Sequence, residues 1–232
     1  MAYNLRRGAN LTIIDSGEMS EPCHNSEAST RLAQKIRNTL RGLVQRYAPP
    51  SIKRRLWNRE FSTGRWTCLE RTVGESVHLQ VEKYANQGGI LDLGCGPGTI
   101  SVELNPETYS FYTGVDISDV AIQKARTRAL EAGRGDRNEY CQSDILTYTP
   151  TRQYNVILCG DSIYYVANRQ IVPMLCRYST YLTKQGVFIA RIFDVSGKLR
   201  HTLDIVESHF DVVEKHIHEQ TQMCIIVFRP RT

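Results

Sequence analysis

The sequence predicts an α/β fold: a mostly parallel seven-stranded sheet with its last strand antiparallel, helices on both faces, and a helical extension at the N-terminus. Three observations carry this. From Ile90 onward, short apolar runs alternate with helical patterns, the signature of a parallel sheet covered on both sides. The first run leads straight into a glycine-rich loop, GCGPG, at Gly94 to Gly98. The last two runs lie so close together in the chain that only an antiparallel pairing can join them.

In chain order, residues 1–29 are polar and irregular and are expected to form a mobile arm. From Thr30, Leu32, Ile36, Leu40, Leu43, Val44 and Tyr47 recur at helical spacing, with five Lys or Arg on the remaining surface. This predicts a basic amphipathic helix ended by Ala48-Pro49-Pro50. Its apolar stripe is expected to pack on the domain or on a second subunit, and the alternative is an anionic membrane surface or protein partner reached through residues 30–55. A second helical segment is expected around Arg65 to Ala85. The strands are expected at Ile90–Leu93, Tyr109–Ile117, Asn138–Gln142, Tyr154–Cys159, Val187–Phe193, Asp211–Glu219 and Gln222–Phe228. Ser118 is placed to cap the helix after the second strand, and Gly133 to stop it.

Composition narrows the class. The 232 residues are 41% hydrophobic and 23% charged, which describes a folded chain. Seven scattered cysteines without a CxxC pair point to neither a disulfide framework nor a zinc knuckle, so a reducing, cytoplasmic setting is expected, with peripheral contact to the inner membrane face as an option. Residues 1–66 hold 12 Lys or Arg against 5 Asp or Glu, while the rest holds 17 against 19. A basic front on a near-neutral body suggests an acidic partner for the front alone and makes nucleic acid the less favoured partner.

The loop carries the chemistry. Its glycines fall at every second residue, whereas a dinucleotide fingerprint reads GxGxxG and seats a pyrophosphate. Asp92 precedes the loop, Asp116 follows about 20 residues later, and Asp144 comes after the third strand, so three carboxylates are expected at the ends of three successive strands. A ribose, an adenine amino group and a cationic amino-acid tail suit such a set better than phosphates do.

With that set in order, the chain resembles the class I S-adenosylmethionine-dependent methyltransferases, from about Ala85 to the C-terminal strand pair, and closest to bacterial small-molecule and saccharide enzymes. The resemblance implies a Rossmann-like catalytic domain over residues 67–232, preceded at 30–66 by the helical extension and a cofactor-covering segment. It implies S-adenosylmethionine as cofactor and S-adenosylhomocysteine as product. It places Asp92, Gly94, Cys95, Gly96, Gly98, Asp116, Ile117, Asp144, Ile145, Cys159 and Gly160 around the cofactor. The segment LWNREFSTGRW is similar to the entry segment of small-molecule methyltransferases, which gives Arg65 the methionine carboxylate and lets Trp57, Phe61 or Trp66 roof the sulfonium, or else merely anchor the segment.

In this family the loop after the fourth strand faces the acceptor. Here it reads CGDSIYY, without the paired prolines of enzymes that methylate nucleic-acid bases. Asp161 is read as a general base or an ammonium holder, or alternatively as a helix cap, with Ser162, Tyr164 and Tyr165 lining the acceptor pocket and His201 near the site. His216 and His218 share a strand face but lack a carboxylate partner pattern, and no metal is expected. The expected reaction is methyl transfer to a small polar acceptor, such as a saccharide or lipid-linked saccharide hydroxyl or amine. The alternatives are RNA or protein methylation, or a cofactor-binding assembly partner without catalysis. A homodimer is an option that the sequence leaves open.

Overall fold

The computed structural model describes residues 24–65, 77–197 and 199–231. Leu40–Thr232 is one compact unit that carries the whole sheet; a separate unit ends at Thr39. Helix α1 (His24–Tyr47) begins six residues ahead of Thr30, stops before Pro49, and is followed by α2 (Pro50–Ser62), whose first residue is proline, as a helix start favours. Trp66 and the front of the segment expected around Arg65 to Ala85 lie outside the described residues; its end is α3 (Val77–Ala85).

The sheet follows with β1 (Gly89–Leu93), α4 (Thr99–Glu103), β2 (Phe111–Asp116), α5 (Asp119–Glu131), β3 (Asn138–Gln142), β4 (Tyr154–Gly160), α6 (Asn168–Ser179), β5 (Leu182–Ile192), α7 (Arg200–His209), β6 (Phe210–His218) and β7 (Met223–Pro230). The strand order is β3-β2-β1-β4-β5-β7-β6. Strands β1 to β5 pair in parallel, and β7 slots antiparallel between β5 and β6. The expected seven-stranded sheet with a reversed last strand is therefore the fold. The link between the final strands is a four-residue turn, longer than the one or two residues expected. β5 starts at Leu182, five residues early, and Phe193 falls outside it and is exposed.

β1 is buried along its whole length and, apart from Asp92, is apolar, as a central parallel strand requires. Leu91 and Leu93 join the core on one side with Met174, Leu175 and Tyr178 of α6 and Leu203 and Val206 of α7. Ile90 joins the other with Val77 and Val81 of α3 and Ile122, Ala125 and Ala129 of α5. Ser118 caps α5 as expected, its Oγ accepting from the Ala121 amide at 3.1 Å, and Gly133 ends the helix at φ +67°. The pairings Leu93 with Val115 and Asp116 with Gln142 bring the carboxyl ends of three strands level, and that edge bears the site.

Candidate active site

At the edge lies a cavity of about 490 Å³, within the size range of small-ligand sites. Its wall draws on the glycine loop, the ends of β2, β4 and β5, the turn after β3, and the inner faces of α1 and α2.

Gly94 stands at φ +85° with Ser162 so close that a Cβ would sit 2.5 Å from the serine Cβ, so both the backbone and the packing demand glycine here. Gly98, at φ +75°, starts α4, and a Cβ there would press Ala125 at 2.9 Å; it supports the loop from behind the cavity wall. Asp116 braces the loop: one carboxylate oxygen accepts from the Gly96 amide at 3.0 Å and the other from Ser118 at 2.8 Å. Burial pushes its carboxyl up to about 6 against those amides. Asp92, one residue before the end of β1, accepts from the Tyr112 hydroxyl through Oδ2, while its buried Oδ1 has no partner. Burial raises it to about 7, with the Tyr112 hydrogen bond opposing. Asp144 sits two residues past β3, where Oδ1 accepts from the Leu146 amide at 2.9 Å. Of the three acids, then, only Asp116 ends its strand, although all three line the cavity.

The opposite wall centres on the turn after β4. Asp161 takes the left-handed conformation at φ +58°, a strained choice for a non-glycine residue, and its Oδ2 accepts from Arg191 Nε at 2.8 Å and Nη2 at 2.5 Å. Register explains the meeting, because Gly160 of β4 lies opposite Arg191 of β5. Burial raises the Asp161 carboxyl despite the guanidinium. Ser162 Oγ donates to the Leu93 carbonyl, which ties this turn to β1. Tyr164 and Tyr165 line the wall with ring centroids 4.7 Å apart, and Trp57 meets Tyr165 edge-on at 4.9 Å. Burial lifts both phenols, Tyr165 to about 12 and Tyr164 higher still.

Most of the expected site residues meet here: Asp92, Gly94, Cys95, Gly96, Asp116, Ile117, Asp144, Ile145, Gly160, Asp161, Ser162, Tyr164 and Tyr165 all line the cavity. Three do not. His201 is exposed on α7, away from the wall, since the buried face of that helix belongs to Thr202, Leu203 and Val206. Cys159 points into the core, where burial raises its thiol to about 12 and leaves it inert. Arg65 is exposed just past α2 and outside the wall. Among the described residues no group of three His, Cys, Asp or Glu side chains converges as a metal site would.

The sequence reading missed four polar members of the wall, Thr99 beside the glycine loop among them. Arg191 is a lone cation inside the apolar run GVFIARIF, and that isolation is the signal that marks it. Gln45, 6% exposed with an unpartnered Nε2, and Lys53, 9% exposed, enter from α1 and α2. Gln45 is there because α1 turns its polar face inward: Arg41 pairs with Glu60, and Arg46 donates to the Tyr164 carbonyl at 3.0 Å. Of the two expected packings of the apolar stripe, on the domain or on a second subunit, the first does not occur: the stripe faces out, with Leu40 57%, Leu43 49% and Tyr47 56% exposed.

A family model described as a methyltransferase domain matches residues 86–226. The chain belongs to the methyltransferase domain family. Its sheet is the class I, S-adenosylmethionine-dependent architecture, shared with the N-methyltransferase NodS from Bradyrhizobium japonicum in complex with S-adenosylhomocysteine (TM-score 0.61, 16% identity, 77% of this chain and 98% of that one). Magnesium protoporphyrin IX methyltransferase from Synechocystis, with bound S-adenosylhomocysteine, is similar at TM-score 0.60, 16% identity, 78% of this chain and 99% of that one. Among curated sequences, the 27-O-demethylrifamycin SV methyltransferase of Amycolatopsis mediterranei is 25% identical over 49% of this chain and 44% of its own length. The ubiquinone biosynthesis O-methyltransferase of Rickettsia akari is 24% identical over 74% and 68%. The chain thus spans less than half of the first of these relatives and about two thirds of the second.

The methyltransferase cavity fits its family's cofactor. The unpartnered Asp92 Oδ1 suits an ammonium, and Asp144 keeps Oδ2 without a partner among the described residues, an acceptor that suits an amino group. Trp57 and Phe61 supply aromatic faces for a sulfonium.

Proposed function

We propose that the protein transfers a methyl group from S-adenosylmethionine to an oxygen or nitrogen of a small polar acceptor, with a saccharide or lipid-linked saccharide as the preferred class. The observation that carries this reading is the single cavity that joins the three carboxylates on one side to the Asp161, Tyr164 and Tyr165 wall on the other. The named relatives, which act in rifamycin and ubiquinone chemistry, support a small-molecule acceptor.

The cofactor supplies a methyl carbon already activated by a sulfonium, so the protein's tasks are to orient, to exclude water and to move a proton. Asp92 takes the ammonium of the methionine end, Asp116 the ribose hydroxyls, and Asp144 the adenine edge. Trp57 closes over the reacting centre and, through its contact with Tyr165, fixes the side from which an acceptor enters. Asp161 takes the proton of an acceptor hydroxyl as the bond to the methyl carbon forms and the carbon–sulfur bond breaks, or takes a proton from an acceptor ammonium beforehand so that the freed lone pair can attack; its raised affinity for a proton suits it to this, and Arg191 keeps its carboxylate aimed.

The test is a labelled methyl donor offered to a cell extract divided into small-molecule, lipid, protein and RNA fractions. Label entering the small-molecule or lipid fraction is the expected result, and label confined to RNA or protein overturns the acceptor class. With the acceptor in hand, Asp161→Asn is expected to lower kcat about 100- to 10,000-fold, the range of general-base contributions, with S-adenosylhomocysteine affinity retained.

A further inference from the structure

The two helices that close the cavity also carry an outer face with a different character. On α1, Leu40, Leu43 and Tyr47 recur at i, i+3 and i+7 and stand about half exposed. On α2, Ile52, Arg55 and Arg59 recur at the same spacing, with Ile52 48% exposed and both arginines exposed and without an ion-pair partner among the described residues. The opposite faces are committed inward: Gln45, Lys53, Trp57 and Phe61 line the cavity, and Arg41 pairs with Glu60. A run of apolar side chains flanked by cations, held outward by the bonding of the inner face, is an unfilled contact surface.

We propose that this outer face of α1 and α2 docks onto an anionic lipid surface, laying Leu40, Leu43, Tyr47 and Ile52 at the acyl boundary and Arg55 and Arg59 among the headgroup phosphates. Charge complementarity selects this occupant. Glu60, the only acid between Leu40 and Arg65, is buried against Arg41, and Asp119, which reaches α2 from outside that stretch, is taken by Arg54 and Asn58, so a two-fold contact with a second copy sets Arg55 and Arg59 against each other without a carboxylate of these helices to pair them. A surface of anionic headgroups meets both needs at once, the apolar side chains and the guanidiniums. No helix among the described residues is long and apolar enough to cross a membrane, so the contact is one of lying on the surface. The inference goes beyond the proposed reaction and does not depend on it.

The experiment is flotation of the full chain with vesicles of phosphatidylcholine alone and of phosphatidylcholine mixed with phosphatidylglycerol, beside light scattering without lipid. The expected result is flotation with the anionic vesicles only, weakened by salt. Arg55→Glu with Arg59→Glu should weaken partition about 30-fold or more, at roughly one kcal/mol lost per arginine near the surface. Leu43→Ser with Tyr47→Ser should abolish flotation while the circular dichroism spectrum and S-adenosylhomocysteine affinity stay as they were, which separates lost docking from lost folding. No flotation with anionic vesicles, or equal flotation after the charge reversal, overturns the proposal. A dimer that Leu43→Ser with Tyr47→Ser splits would also overturn it, giving the face to a second copy.

Discussion

The two walls of the cavity satisfy their polar groups in opposite ways. On the glycine-loop side, Asp116 accepts from the backbone amides of Gly96 and Ser118 and Asp144 from that of Leu146, so main-chain donors hold both, and of the three acids only Asp92 leans on a side chain, the Tyr112 hydroxyl. On the far side, Asp161 depends on Arg191 from the neighbouring strand, and Gln45 and Lys53 arrive from helices before the sheet. A wall held by local amides survives changes elsewhere, whereas a wall assembled from distant side chains can be altered one partner at a time. The first is suited to a cofactor that does not vary, and the second to the part of the site that chooses.

The sharpest way to break this contrast is Arg191→Met, which leaves the buried Asp161 carboxylate without the cation it bonds. It should cost about 3–5 kcal/mol in denaturant unfolding, and Asp161→Asn in the same chain should recover part of the loss. If Arg191→Met is silent, the two walls are not different in kind. Next comes Asp92→Asn, which should weaken S-adenosylhomocysteine about 10- to 100-fold by calorimetry, the range of a hydrogen bond to a charged group, without lowering the melting temperature.

The pH dependence sharpens the comparison further. Asp92 and Asp116 titrate in the folded chain at about 7 and about 6, both raised from 3.8 by burial. The folded state therefore binds more protons than the unfolded one across this interval, and the ligand-free protein should lose stability as pH climbs from about 4 to 7. Affinity for the cationic tail should move the other way, rising as Asp92 ionises. Melting curves and titrations at pH 5 and pH 8 check both slopes, and parallel slopes would remove Asp92 from the ammonium site. A smaller effect is expected from Ser118→Ala, about 1 kcal/mol through the lost α5 cap. The smallest is His201→Ala, within about 0.5 kcal/mol and without change in S-adenosylhomocysteine affinity, as an exposed helix position should behave.

How much of this was legible in the sequence follows the same divide. Strand periodicity, the glycine spacing and the three aspartates are local features, and they placed the strands, the reversed last strand and one wall of the cavity, though not the strand order across the sheet. The turn CGDSIYY was legible as a wall but not as an ion pair, because the partner of Asp161 lies on another strand and is found only through the register of β4 with β5. The rule that apolar stripes face inward failed for α1, where bonds from Arg41 and Arg46 outweigh the burial of Leu40, Leu43 and Tyr47. His201 and Arg65 lie off the wall for a simpler reason: neither a place in the chain nor the likeness of an entry segment says which face of a helix or turn a side chain takes.

The cavity wall reaches outside the span that the family model matches. Gln45, Lys53, Trp57 and Phe61 all precede residue 86, where the match begins. The carboxyl edge of the sheet and the helices that cover it are thus written in separate stretches of the gene. Variation confined to Gln45 and Lys53 can reshape what enters while the sheet edge and the aromatic faces of Trp57 and Phe61 are left unedited, so a library restricted to those two codons would explore the cavity's range against a fixed background.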